Sequence, residues 1–240
     1  YVDVGRGNPI LIPAPCVCTV EVDKHRYGVM KFGVNYLFGA KPQPALAPGN
    51  WGGFYAGVVG GSGVSQSRAT GAGGGVVGSV GIDDNGFTLG GLAGFNWQIA
   101  PRWVAGFEGD FSWFGINDSH QAYNNGSIFG LETSWFATAR GRLGYSTGPA
   151  LLYLTGGGAW VNLEDKFNLF LAPTSGTQTL GGYTVGGGIE TVLSGNWTTR
   201  TEYLFVDVGN GPALTSGGLT TTANHKFHFF RGALTYRFGG

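Results

Sequence analysis

All-β, an eight-stranded antiparallel transmembrane β-barrel with short periplasmic turns and long extracellular loops, is the fold class predicted by three features of this 240-residue chain. Glycine reaches 47 residues while charged residues make up only 12 %. Apolar and polar residues alternate over long segments. The connections between those segments are short and long by turns. Helices are poorly served by this composition, because each interior glycine costs about 1 kcal/mol against alanine. Neither a collagen repeat nor a flexible linker fits, since Trp, Tyr and Phe are interleaved throughout.

The strands follow in order, each from its alternation. Residues 52–64 and 86–99 form the first two. In 102–116, Trp103, Ala105, Phe107, Gly109, Phe111 and Trp113 share one face, and Val104, Gly106, Glu108, Asp110 and Ser112 the other. In 132–146, Trp135, Ala137, Ala139, Gly141, Leu143 and Tyr145 oppose Phe136, Thr138, Arg140, Arg142 and Gly144. Residues 150–163 and 180–193 supply the next pair. In 196–208, Trp197, Thr199, Thr201, Tyr203 and Phe205 oppose Thr198, Arg200, Glu202 and Leu204. In 225–239, Phe230, Gly232, Leu234, Tyr236 and Phe238 oppose Arg231, Ala233, Thr235 and Arg237. A side-chain period of two puts each set on one side of a sheet.

Short connections fall at 100–101, 147–149 and 194–195, and long ones at 65–85, 117–131, 164–179 and 209–224. That asymmetry is the mark of a membrane barrel. Hydrocarbon offers the backbone no hydrogen-bond partner, so a sheet exposed to it must close on itself. Eight strands leave an interior just wide enough for side chains. The aromatic face is therefore expected to meet lipid and the polar face to fill the lumen. Trp97, Trp103 and Trp197 beside the short turns, Trp113 and Trp135 near the long loops, and the terminal Tyr236 and Phe238 are expected in the interfacial girdles.

The lumen face gathers Glu108, Asp110, Glu190 and Glu202 with Arg140, Arg142, Arg200, Arg231 and Arg237. Isolated buried charges are very costly, so these groups are expected to pair and plug the barrel. The competing reading is a weak pore whose charges tune ion passage.

Other chemistry finds little support. Lys plus Arg equals Asp plus Glu, 14 each, which excludes an electrostatic nucleic-acid binder. No run of 18 apolar residues forms a spanning helix. The chain opens at Tyr1 without Met or a secretory leader, so a mature or truncated form is expected. Cys16 and Cys18 are too close for an ordinary disulfide, lack redox spacing, and read as incidental. No metal or cofactor is implied. His120, His225 and His228 lie near the expected outer rim, but no spacing with Ser and Asp supports a hydrolytic triad. Residues 73–78 match G-x-G-x-x-G without a following helix and read as a loop.

Several stretches together carry a resemblance: Trp51-Gly-Gly-Phe-Tyr-Ala-Gly-Val, Gly90-Gly-Leu-Ala-Gly-Phe-Asn-Trp, Gly106-Phe-Glu-Gly-Asp-Phe-Ser-Trp, Trp135-Phe-Ala-Thr-Ala-Arg-Gly-Arg-Leu-Gly-Tyr, Thr155-Gly-Gly-Gly-Ala, Tyr183-Thr-Val-Gly-Gly-Gly-Ile-Glu, Glu202-Tyr-Leu-Phe-Val-Asp-Val-Gly and Arg231-Gly-Ala-Leu-Thr-Tyr-Arg-Phe. Over residues 51–238 the chain resembles the small outer-membrane β-barrel family of alphaproteobacterial immunogenic surface proteins, within the OmpA-like superfamily. The resemblance implies a barrel in the cell outer membrane of a Gram-negative bacterium, without catalysis. The lipid-facing aromatic rows and charge-paired interior lead to the expectation of a structural, surface-exposed role in envelope integrity and surface interactions, with a small porin or channel as the alternative. Outer-membrane lipid, lipopolysaccharide and the barrel-assembly machinery are the implied partners. Family members often end on the aromatic residue which that machinery reads, whereas here Gly239 and Gly240 follow Phe238.

An internal repeat precedes the barrel. His25-Arg-Tyr-Gly-Val-Met-Lys-Phe-Gly-Val-Asn-Tyr-Leu-Phe-Gly39 aligns with His225 to Gly239, and Tyr1-Val-Asp-Val-Gly5 echoes Phe205-Val-Asp-Val-Gly209. Three units follow: a hairpin-like segment 1–39, a linker 40–50 carrying Pro42, Pro44 and Pro48, and the barrel 51–240. The segment 1–39 fits a remnant of an upstream barrel unit, an extra strand paired with another chain, or a periplasmic tail.

Overall fold

The computed structural model describes the backbone of residues 2–3, 26–27, 49–73, 76–116, 121–122, 128–169, 172–211, 214–216 and 219–238, with side chains over 49–67, 85–115, 133–163, 177–211 and 222–238. Eight long strands run in chain order: β1 (Gly53–Gly73), β2 (Val76–Ala100), β3 (Trp103–Ile116), β4 (Ile128–Ser146), β5 (Ala150–Leu169), β6 (Ala172–Ser194), β7 (Trp197–Asn210) and β8 (Leu219–Arg237). Each pairs antiparallel with its neighbours in sequence, and β8 also pairs with β1, which closes the barrel. Short ladders at Gln121–Ala122 and Leu214–Ser216 extend β4 and β8 at the long-loop end. The segments 1–39 and 40–48, Cys16 and Cys18 included, lie outside the described residues, except for the pairs Val2↔Tyr27 and Asp3↔Arg26.

Closure carries a stagger. One circuit of hydrogen-bonded partners runs Gly53, Asn96, Gly106, Arg142, Thr155, Gly186, Leu204, Phe229 and back to Gly63 on β1. The ladder returns ten residues further along its first strand. For eight strands that stagger corresponds to a tilt of roughly 40°. Trp103 and Trp113 stand ten residues apart on β3. They are about 33 Å apart along the strand, which at this tilt is about 25 Å of depth, the height of a lipid-facing apolar band.

At one end the strands meet in tight turns. Gly195 in the β6–β7 turn has φ of 54°, a left-handed conformation that a side chain disfavours. At the other end the ladders run further than alternation predicts. The β1–β2 ladder continues to Gly73↔Val76, and β5–β6 to Leu169↔Ala172. Residues 65–85 and 164–179, expected as loops, are therefore mostly hairpin, and Gly73 with Val76–Gly78 of the glycine motif lies on strands. The physical reason is simple. Backbone pairing needs no apolar face, and beyond the bilayer both faces are free to be polar, so the pattern fades before the strand does.

Candidate functional site: the packed lumen

Alternation turns Glu108 and Asp110 on β3, Arg140 and Arg142 on β4, Glu190 on β6, Arg200 and Glu202 on β7 and Arg231 on β8 inward. All eight are nearly inaccessible, and four carboxylates face four guanidinium groups. Glu108 is the hub. Its carboxylate accepts from Arg140 Nη2 at 2.5 Å, Arg200 Nη1 at 2.6 Å and Tyr55 Oη at 2.8 Å, with Arg142 Nη1 at 3.8 Å. Asp110 accepts from Arg231 Nη1 at 2.7 Å, Arg140 Nη2 at 2.9 Å and the Thr138 hydroxyl. Glu202 takes Arg231 Nη2 at 2.6 Å, Arg140 Nη1 at 3.0 Å and Tyr153 Oη at 3.0 Å. Glu190 takes Arg142 Nη2 at 2.8 Å and the Thr198 hydroxyl at 2.7 Å.

The arrangement obeys the cost of burying charge. A lone ion here would lose several kcal/mol of hydration, so seven of the eight are held by two or more charge-assisted bonds, while Arg200 makes one described bond, to Glu108. Glycine makes room for the large groups. A Cβ on Gly94 would run into Tyr55 Oη, and one on Gly63 would sit 2.6 Å from the Phe229 ring.

Arg237 does not join this network. It lies six residues beyond Arg231 on the same strand, about 20 Å away. Its Nη1 donates to the Asn50 carbonyl at 2.6 Å, and its guanidinium lies 5.0 Å from the Trp51 ring. It belongs to a plug at the short-turn end, where Trp51 packs with Val104 and Leu151 and donates its Nε1 to Ser146 Oγ at 3.0 Å.

The expectation of a lumen filled by charge pairs covers only its middle. On the long-loop side of the network, Phe114, Phe136, Phe227 and Phe229 pack inside the barrel with Val161, Leu204, Val206 and Val208. Phe136 stacks on Phe229 with ring centroids 4.3 Å apart. Alternation could not single out this layer, because residues 227–230 read Phe-His-Phe-Phe and put rings on both faces. Tyr55, Tyr153, Thr138 and Thr198 complete the carboxylate shells; alternation puts Thr138 and Thr198 on the lumen face but marks none of the four as a partner. Only the parity of their positions pointed to them.

The outer wall is apolar. Phe107, Leu143 and Leu154 stand about half exposed or more. Trp97, Trp103, Trp197 and Phe238 are exposed near the short turns, with Tyr236 against Trp197 at 5.2 Å. Trp113 is exposed at the other level, and Trp135 stacks on Phe111 at 5.5 Å.

Hydrolytic chemistry does not assemble among the described residues. Buried His225 bonds Ser67 Oγ through Nδ1 at 2.9 Å, and no described carboxylate contacts the imidazole. His228 faces outward and bonds Tyr203 Oη at 2.8 Å. His120 lies outside the described residues.

Comparison with known proteins gives consistent likenesses. A family model described as an outer membrane protein beta-barrel domain matches residues 35–238. The 31 kDa outer-membrane immunogenic protein of Brucella melitensis biotype 1 is 35% identical over 170 residues, 68% of this chain and 71% of that protein. The 22 kDa outer membrane protein of Rhizobium leguminosarum bv. viciae is 32% identical over 170 residues, 70% of this chain and 69% of that one. These names carry no enzymatic activity. Among solved structures, the outer membrane protein OprG of Pseudomonas aeruginosa superposes with a TM-score of 0.49 at 11% identity, over 80% of this chain and 99% of its own.

Proposed function

The chain belongs to the outer membrane protein beta-barrel family of the Gram-negative cell outer membrane, and on that premise we propose that it is a structural, surface-exposed barrel with a sealed lumen. The observation that carries this reading is the three-level packing inside the wall. Trp51 plugs the short-turn end, the eight-membered charge network fills the middle, and the Phe114–Phe136–Phe227–Phe229 layer fills the far side. A conducting pore needs a continuous polar path, and a buried apolar layer interrupts one.

Such a barrel contributes to the envelope as a rigid, lipid-anchored unit. Its partners are outer-membrane lipid and lipopolysaccharide along the aromatic wall, and the barrel-assembly machinery that inserts it. Surface recognition falls to the long-loop end. The test pairs two measurements. Planar bilayers holding the folded protein should show no conductance steps, and cells lacking the gene should leak a periplasmic enzyme and grow sensitive to detergent. Stepwise conductance would favour the small porin instead. An unchanged envelope would remove the structural role.

A further inference from the structure

The lipid-facing wall is not evenly clad. On β6, Gly187 takes an outward position between the exposed Val185 and Ile189. Its partners across the two ladders are Leu154 of β5 and Tyr203 of β7. Beside it, Thr201 of β7 pairs with Gly232 of β8. Small residues among taller neighbours leave a hollow. A groove of about 820 Å³ lies there, floored by Gly187, Gly188 and Thr201 and walled by Leu152, Leu154, Ile189 and Tyr203. That is the size of a small-molecule site, roughly 300–1,000 Å³.

The groove crosses the wall obliquely. One end reaches Trp103 and Tyr145, and the other reaches Phe230. Most of its lining belongs to the half nearer the short turns. Trp103 opens β3, Tyr145 is the last residue but one of β4, Leu152 is the third residue of β5, and Ile189 lies five residues before the end of β6. A chain lying in the groove therefore enters from the periplasmic side, where the short turns of such barrels stand.

The groups at that entrance define the occupant. Arg102 is the last residue of the β2–β3 turn, and its carbonyl accepts from Ser146 N at 2.7 Å. Its Nη1 donates to Tyr145 Oη at 3.4 Å. Trp103 meets the same Tyr145 ring edge-on, with 5.4 Å between centroids. A guanidinium on an anchored turn thus stands beside two interfacial rings at the foot of an apolar groove. Guanidinium groups suit phosphate, to which they offer paired N–H donors. The groove itself offers only contacts that hydrocarbon can use. A free phosphate has nothing to place in it, and a neutral lipid has nothing to place on Arg102. An anionic phospholipid has both parts, joined at the spacing of a headgroup and its chain.

We propose that this groove seats one anionic glycerophospholipid of the periplasmic leaflet, with its phosphate on Arg102 and an acyl chain lying over Gly187 and Thr201. The inference deepens the lipid contact in the proposed role and rests on the barrel spanning the outer membrane. A sealed lumen does not enter it, so conductance and lipid binding fail separately.

Photo-crosslinking tests this on the full chain, folded into phosphatidylcholine vesicles that carry a minor fraction of phosphatidylglycerol with a diazirine on one acyl chain. Crosslinks should concentrate on Leu152, Leu154, Ile189 and Tyr203 over Val58 and Leu89, which are similarly exposed on the β1–β2 side. Excess unlabelled phosphatidylglycerol should displace the first set and leave the second little changed. Thr201→Trp, which fills the groove, should abolish the preference. Arg102→Gln should weaken it roughly tenfold, the effect of one charge-assisted hydrogen bond. Val58→Trp, on the other side of the barrel, should leave it intact. Heat-modifiable mobility checks that each variant is folded, and the displacement measurement needs no variant. Crosslinks spread evenly around the wall would mean ordinary surrounding lipid and overturn the proposal. A preference that survives Arg102→Gln, a diazirine-labelled lipid A that occupies the groove instead, or crosslinks joining two copies of the chain at Tyr203 would each overturn it too.

Discussion

Glu108 on β3 and Arg140 on β4 are direct partners across the ladder, and their side chains meet in the lumen at 2.5 Å. The same rule recurs at Glu202 and Arg231, partners on β7 and β8 with 2.6 Å between charged atoms. Register therefore sets the first contacts of the network, and longer reaches across the lumen complete it. Arg200 reaches Glu108 at 2.6 Å from the far side of the ring.

Removing the hub should cost more than removing a pair. Glu108 is the only carboxylate within 4 Å of Arg200 among the described residues. Glu108→Gln is expected to destabilise the barrel by about 3–5 kcal/mol, because it strands a buried guanidinium. Glu108→Leu combined with Arg200→Met should recover most of that loss. Urea unfolding of each variant in lipid vesicles measures both. Equal losses for the single and double variants would contradict the pairing.

The aromatic layer should behave as a core. Phe229→Ala is expected to cost about 3–5 kcal/mol, as in soluble interiors. It should still give no conductance steps, because the charge network and the Trp51 plug remain. Current through this single variant would show that the Phe layer alone seals the lumen.

Glycine at position 94 leaves the space that Tyr55 occupies on its way to Glu108. Gly94→Ala should cost roughly 1–3 kcal/mol through overpacking. Tyr55→Phe should cost less, since it removes one hydroxyl contact while leaving the ring packed. Combining Gly94→Ala with Tyr55→Leu should relieve only the part of the clash due to the phenol, because the added Cβ also meets the Phe107 carbonyl oxygen at 2.6 Å.

Depth should grade the outer wall. Leu154 is 73% exposed, whereas Leu193, 64% exposed, lies beside the β6–β7 turn. Leu154→Arg is expected to cost about 2–4 kcal/mol and Leu193→Arg about 0–1, because arginine near the interface reaches water. Similar costs at the two positions would argue against this placement in the bilayer.

Strand number, order and the short-turn end were legible because period-two alternation and connection length report backbone geometry directly. Strand ends at the long-loop side were not, since the ladder at Ala72↔Val77 and its neighbours continues through glycine-rich sequence that reads as a loop. Within the lumen, alternation places Glu190 and Arg200 on one face, and register makes them opposite partners. The hydrogen bond nevertheless runs from Arg142 to Glu190 at 2.8 Å, a choice made by reach across the barrel that no pattern along one strand contains. Tyr153 was hidden for a related reason: Leu151, Leu152 and Leu154 surround it, so both faces of that strand look apolar.

The most direct test of the account asks which side chains touch acyl chains. Single cysteines at Leu152, Tyr153, Leu154 and Thr155, in a background with Cys16→Ser and Cys18→Ser, can carry a bimane fluorophore in the folded barrel, in vesicles containing brominated phospholipid. The expected result is strong quenching at 152 and 154 and little at 153 and 155. Equal quenching at all four, or the opposite alternation, would contradict a barrel whose leucines face lipid and whose charges meet inside.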